Sequence, residues 1–305
     1  MPRPLRILLI LLVFPPLAAA VMGWLVAPSF LHPIRRALTP DLIREADAYF
    51  SHIHAQREDF TVAAPDGATL RGWKVRPRNP NGSWVLLFHG VADNRVGVIG
   101  QAELLLRAGY SVVMMDARAH GESGGAMATY GWLERNDTRA VVGALEATEH
   151  PKHLFALGES MGAGIALQAA AVEPRIEAVV AESPFASLRE ASYDYAGLQE
   201  HALLGKTLFA PGAWVMLFRG GRLAGFAADG VSPQQAVASR NLPVLLICDG
   251  ADTTLPCRHA QRIYDAAIGP KSLWIVPRAY HTGAIGFAPE EFRARVLAFF
   301  ARPQG

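Results

Sequence analysis

The sequence predicts an α/β fold: a mostly parallel sheet with helices on both faces, a helical cap over one edge, and one apolar segment ahead of it. Three observations carry that expectation. Near-continuous apolar runs of strand length alternate with helical patterns from residue 84 onward, as strands buried on both faces require. One run, Leu154–Leu157, stops at Gly158-Glu-Ser-Met-Gly162 and gives way at once to an alanine-rich stretch, so Ser160 sits in a sharp strand-to-helix turn. Aspartates and a histidine follow the late runs, at the edge where that serine emerges. The 305 residues suffice for one large domain with a full core, and no repeat or low-complexity linker divides them.

In chain order, residues 1–6 form a short basic head with Arg3 and Arg6. Ile7–Ala27 then carries no charge over 21 residues and is interrupted only by Pro15-Pro16. At about 1.5 Å per residue, that length spans a bilayer core of roughly 30 Å. We expect residues 1–28 to be an uncleaved membrane anchor, a transmembrane helix. The alternative is a signal peptide cut after Ala18-Ala19-Ala20, but that cut leaves Val21–Val26 apolar and exposed. Arg35 and Arg36 balance the charges of the head, so charge alone does not fix orientation. A lone span behind a short basic head points to an exported domain on a single-pass anchor; secretion after cleavage and a domain facing the cytoplasm are the alternatives.

Residues 29–57 read as a juxtamembrane helical segment. Thr39-Pro40-Asp41 has a capping threonine followed by proline at the first helical position. Leu42, Ala46, Tyr49, Phe50 and Ile53 share one face of an amphipathic helix over 40–57. The main domain is expected over 58–305. Two short strands flank Pro65-Asp66-Gly67, a hairpin signal. Trp84–Phe88, Ser111–Met115, Leu154–Leu157, Ile176–Ala181, Val244–Ile247 and Leu273–Val276 are the later strands. Helices fill the intervals, and the last runs over about 288–301. The alternation breaks between Ser183 and Asn241. That stretch is rich in aromatic and apolar side chains, among them Tyr193, Tyr195, Leu217 and Phe218. We read 184–240 as a helical cap, with most of these side chains packing it down and some lining a pocket.

A serine hydroxyl is a poor nucleophile at neutral pH and needs a base, which in turn needs an orienting partner. His281, in the loop after the last strand, is the candidate base. Asp252, in the loop after the strand before it, is the candidate acid. Asp249 and Glu182 are rival carboxylates, and His89 and His120 are rival imidazoles, although both histidines read better as hydrogen-bonded supports. A negative charge developing on a substrate oxygen needs two aimed N–H groups. The backbone of Met161, at the start of a helix, supplies one. Val91, after Phe88-His89-Gly90, is assigned the other, with Gly90 allowing close approach. Gly158 and Gly162 are needed because a side chain there collides with the neighbouring strand or helix.

These residues carry a family resemblance. His89-Gly90, Asp116-Ala-Arg-Ala-His-Gly-Glu-Ser123, Gly158-Glu-Ser-Met-Gly162, Ser183-Pro-Phe-Ala-Ser-Leu188, Gly250-x-Asp252 with Pro256, and His281 make the chain resemble the α/β-hydrolase superfamily over about 58–302. Within it, the chain resembles the serine-aminopeptidase- or lysophospholipase-like branch with a single amino-terminal span. The resemblance implies an eight-stranded sheet, a Ser160–His281–Asp252 triad, and acyl transfer to water. It does not supply a substrate. Two positions depart from the family pattern: Ala119 stands where the first glycine of the Asp116 loop is usual, and Asp249 where the acid loop more often has histidine.

The expected reaction is hydrolysis of a carboxylic ester or thioester, with a lipid-like acyl group guessed from the apolar cap and the anchor. A serine peptidase and a catalytically silent membrane-tethered binding module are the alternatives. Net charge is only +2 and no run of five like charges occurs, so no nucleic-acid partner is expected. No metal or cofactor is expected, because no histidine–carboxylate cluster has ligand spacing. Cys248 and Cys257 are the only two cysteines, and their pairing stays open.

Overall fold

The computed structural model describes residues 3–199 and 201–301. Residues 1, 2, 200 and 302–305 lie outside them. In chain order the elements are α1 (Arg3–Leu31), α2 (Pro40–His52), β1 (Gln56–Ala63), β2 (Thr69–Arg76), β3 (Ser83–Phe88), α3 (Ile99–Arg107), β4 (Ser111–Met115), α4 (Glu134–Glu149), β5 (His153–Glu159), α5 (Met161–Val172) and β6 (Ala178–Glu182). The cap region follows as α6 (Leu188–Ala196), α7 (Ala202–Lys206), α8 (Ala210–Ala224) and α9 (Pro233–Ala238). Then come β7 (Val244–Asp249), α10 (Arg258–Ala266), β8 (Lys271–Val276), α11 (Ala284–Phe287) and α12 (Pro289–Phe300).

The strands form one eight-stranded sheet in the order β1-β2-β4-β3-β5-β6-β7-β8. Only β2 pairs antiparallel, with β1 and β4; the other ladders are parallel. Successive side chains on a strand point to opposite faces, and the core divides accordingly. Val85, Leu87, Phe155 and Leu157 pack under one face with Trp73 and Phe292. Leu86 and Ala156 pack on the other with Val142, Leu167 and Leu246. Register pairs Phe88 with Gly158 and Glu159 with Glu182, so the ends of β3, β5 and β6 lie side by side.

Helix α2 is shorter than the sequence pattern suggests. Its threonine cap is as expected, with Thr39 Oγ1 accepting from the Leu42 N–H. The helix stops at His52 because His54 turns left-handed, at φ 56°, and Gln56 is already paired with Arg76 in the sheet. The apolar face continues past the point where the backbone leaves the helix.

The cap is fixed to the domain at several points. Leu188, Leu217 and Phe226 share an apolar cluster with Leu31 of α1 and Leu255 of the loop after β7. Asp194 of α6 is buried against His259 of α10, with 2.6 Å between Oδ2 and Nε2, and it also pairs with Arg258. Helix α1 lies along α8 with backbones in contact: a Cβ on Gly23 would fall 2.0 Å from the Gly212 carbonyl oxygen. Such close approach is the use of small residues between apolar helices. The end of α1 is stitched to the domain, with the Phe30 carbonyl accepting from Tyr130 Oη at 2.7 Å and the Leu31 carbonyl from the Ala128 N–H at 2.9 Å.

Phe155 stacks on Phe300 at 4.7 Å between centroids, edge-on to Tyr110, and so ties the last helix to the central strand. Phe155→Ala is expected to cost about 3–5 kcal/mol of stability, read as a lowered midpoint in chemical denaturation.

Candidate active site

Strand β5 reaches Ser160 and the chain reverses into α5 within one residue. Ser160 has φ 51° and ψ −119°, a conformation that costs a non-glycine residue about 1–3 kcal/mol and persists only where its surroundings impose it. They do so here through contact. A Cβ on Gly158 would meet the Gly162 backbone at 2.5 Å, and one on Gly162 would meet the Phe88 carbonyl oxygen at 2.3 Å. The Ser160 N–H donates to the Glu182 carbonyl at 2.9 Å. The hydroxyl therefore stands at the carboxyl edge of the sheet, where open α/β sheets bind ligands.

Two loops bring partners to it. The Ser160 hydroxyl lies 2.8 Å from His281 Nε2, and His281 Nδ1 lies 2.6 Å from Asp252 Oδ2. With Nδ1–H donating to the carboxylate, Nε2 is left to accept from the serine. Asp252 is buried and well supplied with donors: its Oδ1 accepts from the Thr254 and Leu255 N–H groups at 2.8 and 2.9 Å. Of the three candidate acids, Asp252 alone contacts His281 among the described residues. Asp249 is one hydroxyl away, since Ser183 Oγ lies 2.7 Å from Asp249 Oδ2 and 2.9 Å from Asp252 Oδ2. Burial raises the Asp249 carboxyl above its ordinary range. Ser183 has one proton to give and stands between the two carboxylates, donating to either. Glu182 is fully buried, and one of its oxygens accepts from the Ala284 N–H at 2.9 Å; burial, reinforced by Asp249, raises it well above its usual value.

Cys248 and Cys257 are joined in a disulfide, with Cα atoms 5.4 Å apart. It closes the loop that carries Asp252, from the end of β7 to the residue before α10.

The other imidazoles face inward. His89 Nδ1–H donates to the Gly90 carbonyl at 2.7 Å while its Nε2 accepts from the Ala117 N–H at 3.0 Å. Burial, then the neighbouring His120, pushes its pKa down to about 4. His120 is buried beside it, bonded to the Arg118 carbonyl. Ala119, where the family has glycine, takes the left-handed conformation all the same, at φ 60°.

Val91 and Met161 line a 250 Å³ cavity that opens on Ser160. Its remaining wall is apolar and comes largely from the cap, through Phe185, Tyr195 and Met216, and from α1 through Phe30. Trp214 and Phe218, by contrast, stack on each other at 5.5 Å and face outward. Sequence reasoning missed four features of the site and its supports, one of them Gln101, which donates to Glu159 beside the serine. Ser183 stood in a quoted motif with no partner to assign. Phe30 lies just past the apolar run, in the segment read as juxtamembrane, where nothing in the sequence marks it. Gln101 and the Asp194–His259 pair have no local signature.

Glu159, next to the serine, is buried and accepts from Gln101 Nε2 at 3.0 Å and from the Gly90 N–H. Burial, then Asp93, raises its pKa from 4.5 to about 7. A carboxyl raised on folding adds stability below its unfolded pKa and loses it as pH rises through the folded one. Raising pH from 5 to 8 is therefore expected to lower the melting temperature of the wild type more than that of Glu159→Gln, the difference corresponding to on the order of 3 kcal/mol. Parallel pH profiles of the two proteins overturn this.

The site can be set beside known proteins. A family model described as serine aminopeptidase, S33, matches residues 79–226. The chain is 30% identical over 243 residues to protein Rv2307c of Mycobacterium tuberculosis, covering 78% of this chain and 75% of that one. With YqkD of Bacillus subtilis it shares 28% identity over 275 residues, 87% of this chain and 88% of the relative. Lysophosphatidylserine lipase ABHD12 of Danio rerio is 25% identical over 272 residues, 80% of this chain and 66% of the relative. Among solved structures, the Pyrococcus furiosus esterase Pf2001 superposes with a TM-score of 0.71 at 26% identity, over 90% of this chain and 99% of that one. Taken with the eight-stranded sheet and the serine elbow, these likenesses show that the chain belongs to the α/β-hydrolase family.

Proposed function

We propose that this α/β-hydrolase is a serine hydrolase that cleaves a carboxylic ester or thioester with an apolar acyl group. The observation that carries the reading is the unbroken series from Ser160 Oγ through His281 to Asp252 at the mouth of an apolar cavity. The likeness to an esterase and to a lysophosphatidylserine lipase supports the same reaction class.

His281 Nε2 removes the Ser160 proton as Oγ attacks the acyl carbonyl. The N–H groups of Met161 and Val91 take the developing oxyanion, a contribution of about 3 kcal/mol per donor in comparable sites. The imidazolium, held and stabilised by Asp252, returns its proton to the leaving group. Water then enters, gives its proton to His281 and attacks the acyl-enzyme; collapse releases the acid and restores the Ser160 hydroxyl. A serine peptidase is the second reading, favoured by the S33 description of the matching family model.

The reading extends to location. Leu12–Leu31 of α1 is long and apolar enough to cross a membrane, and we take it as an anchor with the domain exported. The Cys248–Cys257 bridge supports that side, since disulfides persist in oxidising compartments.

Ser160→Ala is expected to abolish turnover of p-nitrophenyl esters, by at least 10³-fold, with the melting temperature retained; unchanged turnover sinks the assignment. Acyl esters, an acyl thioester and aminoacyl amides then separate esterase from peptidase by kcat/KM. No labelling of Ser160 by a fluorophosphonate favours a silent binding module. Protease added to intact cells is expected to degrade the domain, and protection there reverses the orientation.

A further inference from the structure

The catalytic cavity does not end at the cap. Ser192, Tyr195 and Met216 line both it and a second, larger cavity of 640 Å³. One wall of that outer cavity is α1, through Phe14, Ala18 and Met22; the facing wall includes Ala196, Phe209 and Ala213. None of the residues lining it is charged. The buried Ser192 hydroxyl at the junction is already bonded to the Leu188 carbonyl at 2.8 Å, so the passage presents an apolar path. Helix α1 therefore runs the length of both cavities, from Phe14 in the outer one to Phe30 beside Ser160.

The heights agree with a bilayer. Arg219 of α8 lies over the Trp24 ring at 4.4 Å and donates to the Trp24 carbonyl. A paired tryptophan and arginine suit the boundary between hydrocarbon and headgroups. From Phe14 to Gly23, the stretch of α1 that flanks the outer cavity on the far side of that boundary, the helix rises about 14 Å. That is close to one leaflet of hydrocarbon, half of roughly 30 Å. With the boundary set at Trp24, Phe30 and the serine fall on the headgroup side. The outward face of α1 between Phe14 and Gly23 exposes Leu17 and Val21, and α8 exposes Trp214 and Phe218, so both helices present apolar surface to the same surroundings.

We propose that α1 and α8 frame a lateral entry from the bilayer to Ser160, and that the substrate is an ester or thioester whose single long acyl chain resides in one leaflet. This rests on the serine-hydrolase and anchor readings above. The carbonyl reaches Ser160 near the headgroups while the chain passes Tyr195 and Met216 and trails along α1. The inner cavity, at 250 Å³, is smaller than the roughly 300–1,000 Å³ typical of small-molecule sites; it accepts the first segment of one chain, and the outer cavity takes the rest. The anchor is thus part of the binding site, and cutting after Ala20 removes half of one wall.

The test uses the full-length chain in phosphatidylcholine vesicles and a hexadecyl fluorophosphonate with a diazirine at the chain end. The phosphorus reacts at Ser160 Oγ with loss of fluoride, and light then crosslinks the chain end to what lies beside it. Crosslinks in residues 14–22 and 209–213 are expected. A Ser160 adduct whose crosslinks fall elsewhere overturns the lateral entry and leaves the nucleophile standing; absence of the adduct overturns the nucleophile, and the entry with it. As a second arm, Ala196→Trp, which narrows only the outer cavity, is expected to lower the ratio of palmitoyl to acetyl p-nitrophenyl ester turnover at least tenfold. A ratio within twofold of wild type counts against the proposal.

Discussion

The structure hinges on how closely β5 and α5 approach at Ser160. Nothing larger than hydrogen fits at Gly158 or Gly162, and that closeness holds the serine in a conformation it would not adopt alone. The neighbouring parts of the site lean on the same turn. The Ser160 amide is held by β6, and the preceding side chain, Glu159, holds Gln101 of α3 and the Gly90 amide. The loop after β3 is thereby set against Ser160. Loosening the turn would unseat three strand ends at once.

Four buried carboxyl groups surround this arrangement: Glu159, Glu182, Asp249 and Asp252. Like charges so near one another in a poorly solvated place repel strongly, and burial favours the neutral acid. The molecule resolves this by unequal distribution of donors. Asp252 collects two backbone amides, the Ser183 hydroxyl and the imidazole. Among the described residues Glu182 keeps one oxygen without a partner, while Asp249 has the Ser183 hydroxyl and the Thr282 and Gly283 backbone beside it; burial raises the pKa of both. Asp252 is thus the best-supplied of the four, and it is the one turned to His281. Asp249 shares the Ser183 hydroxyl with Asp252.

The fold and the site differed in how far they could be read from sequence. The elbow was legible because its backbone demands particular residues at 158, 160 and 162. Asp252 and His281 were legible as positions, because strand ends in a parallel sheet converge on one edge; Asp252 was chosen over its rivals, but Asp249 shares its loop and only the fold shows which of the two touches the imidazole. Cysteines nine apart in sequence pair or stay free according to loop geometry that no local pattern encodes. The end of α2 was misjudged because hydropathy records which face is buried and not where the backbone changes hand, as it does at His54. The role of α1 was the least legible. A run of apolar residues states its solvent and says nothing of its neighbours, and only tertiary packing puts Phe30 beside Ser160.

That packing has a consequence for motion. Phe30, Leu31 and Arg35 are bonded directly to the domain, so no free tether separates α1 from the sheet. A domain on a flexible leash sweeps a hemisphere above the membrane and meets solutes by their concentration in water. A domain seated on its own helix keeps one height and one tilt, and its encounters take place by diffusion within a plane. If α1 sits in a bilayer as proposed, the quantity that governs saturation is the mole fraction of substrate among the neighbouring lipids, and diluting the aqueous phase leaves it untouched.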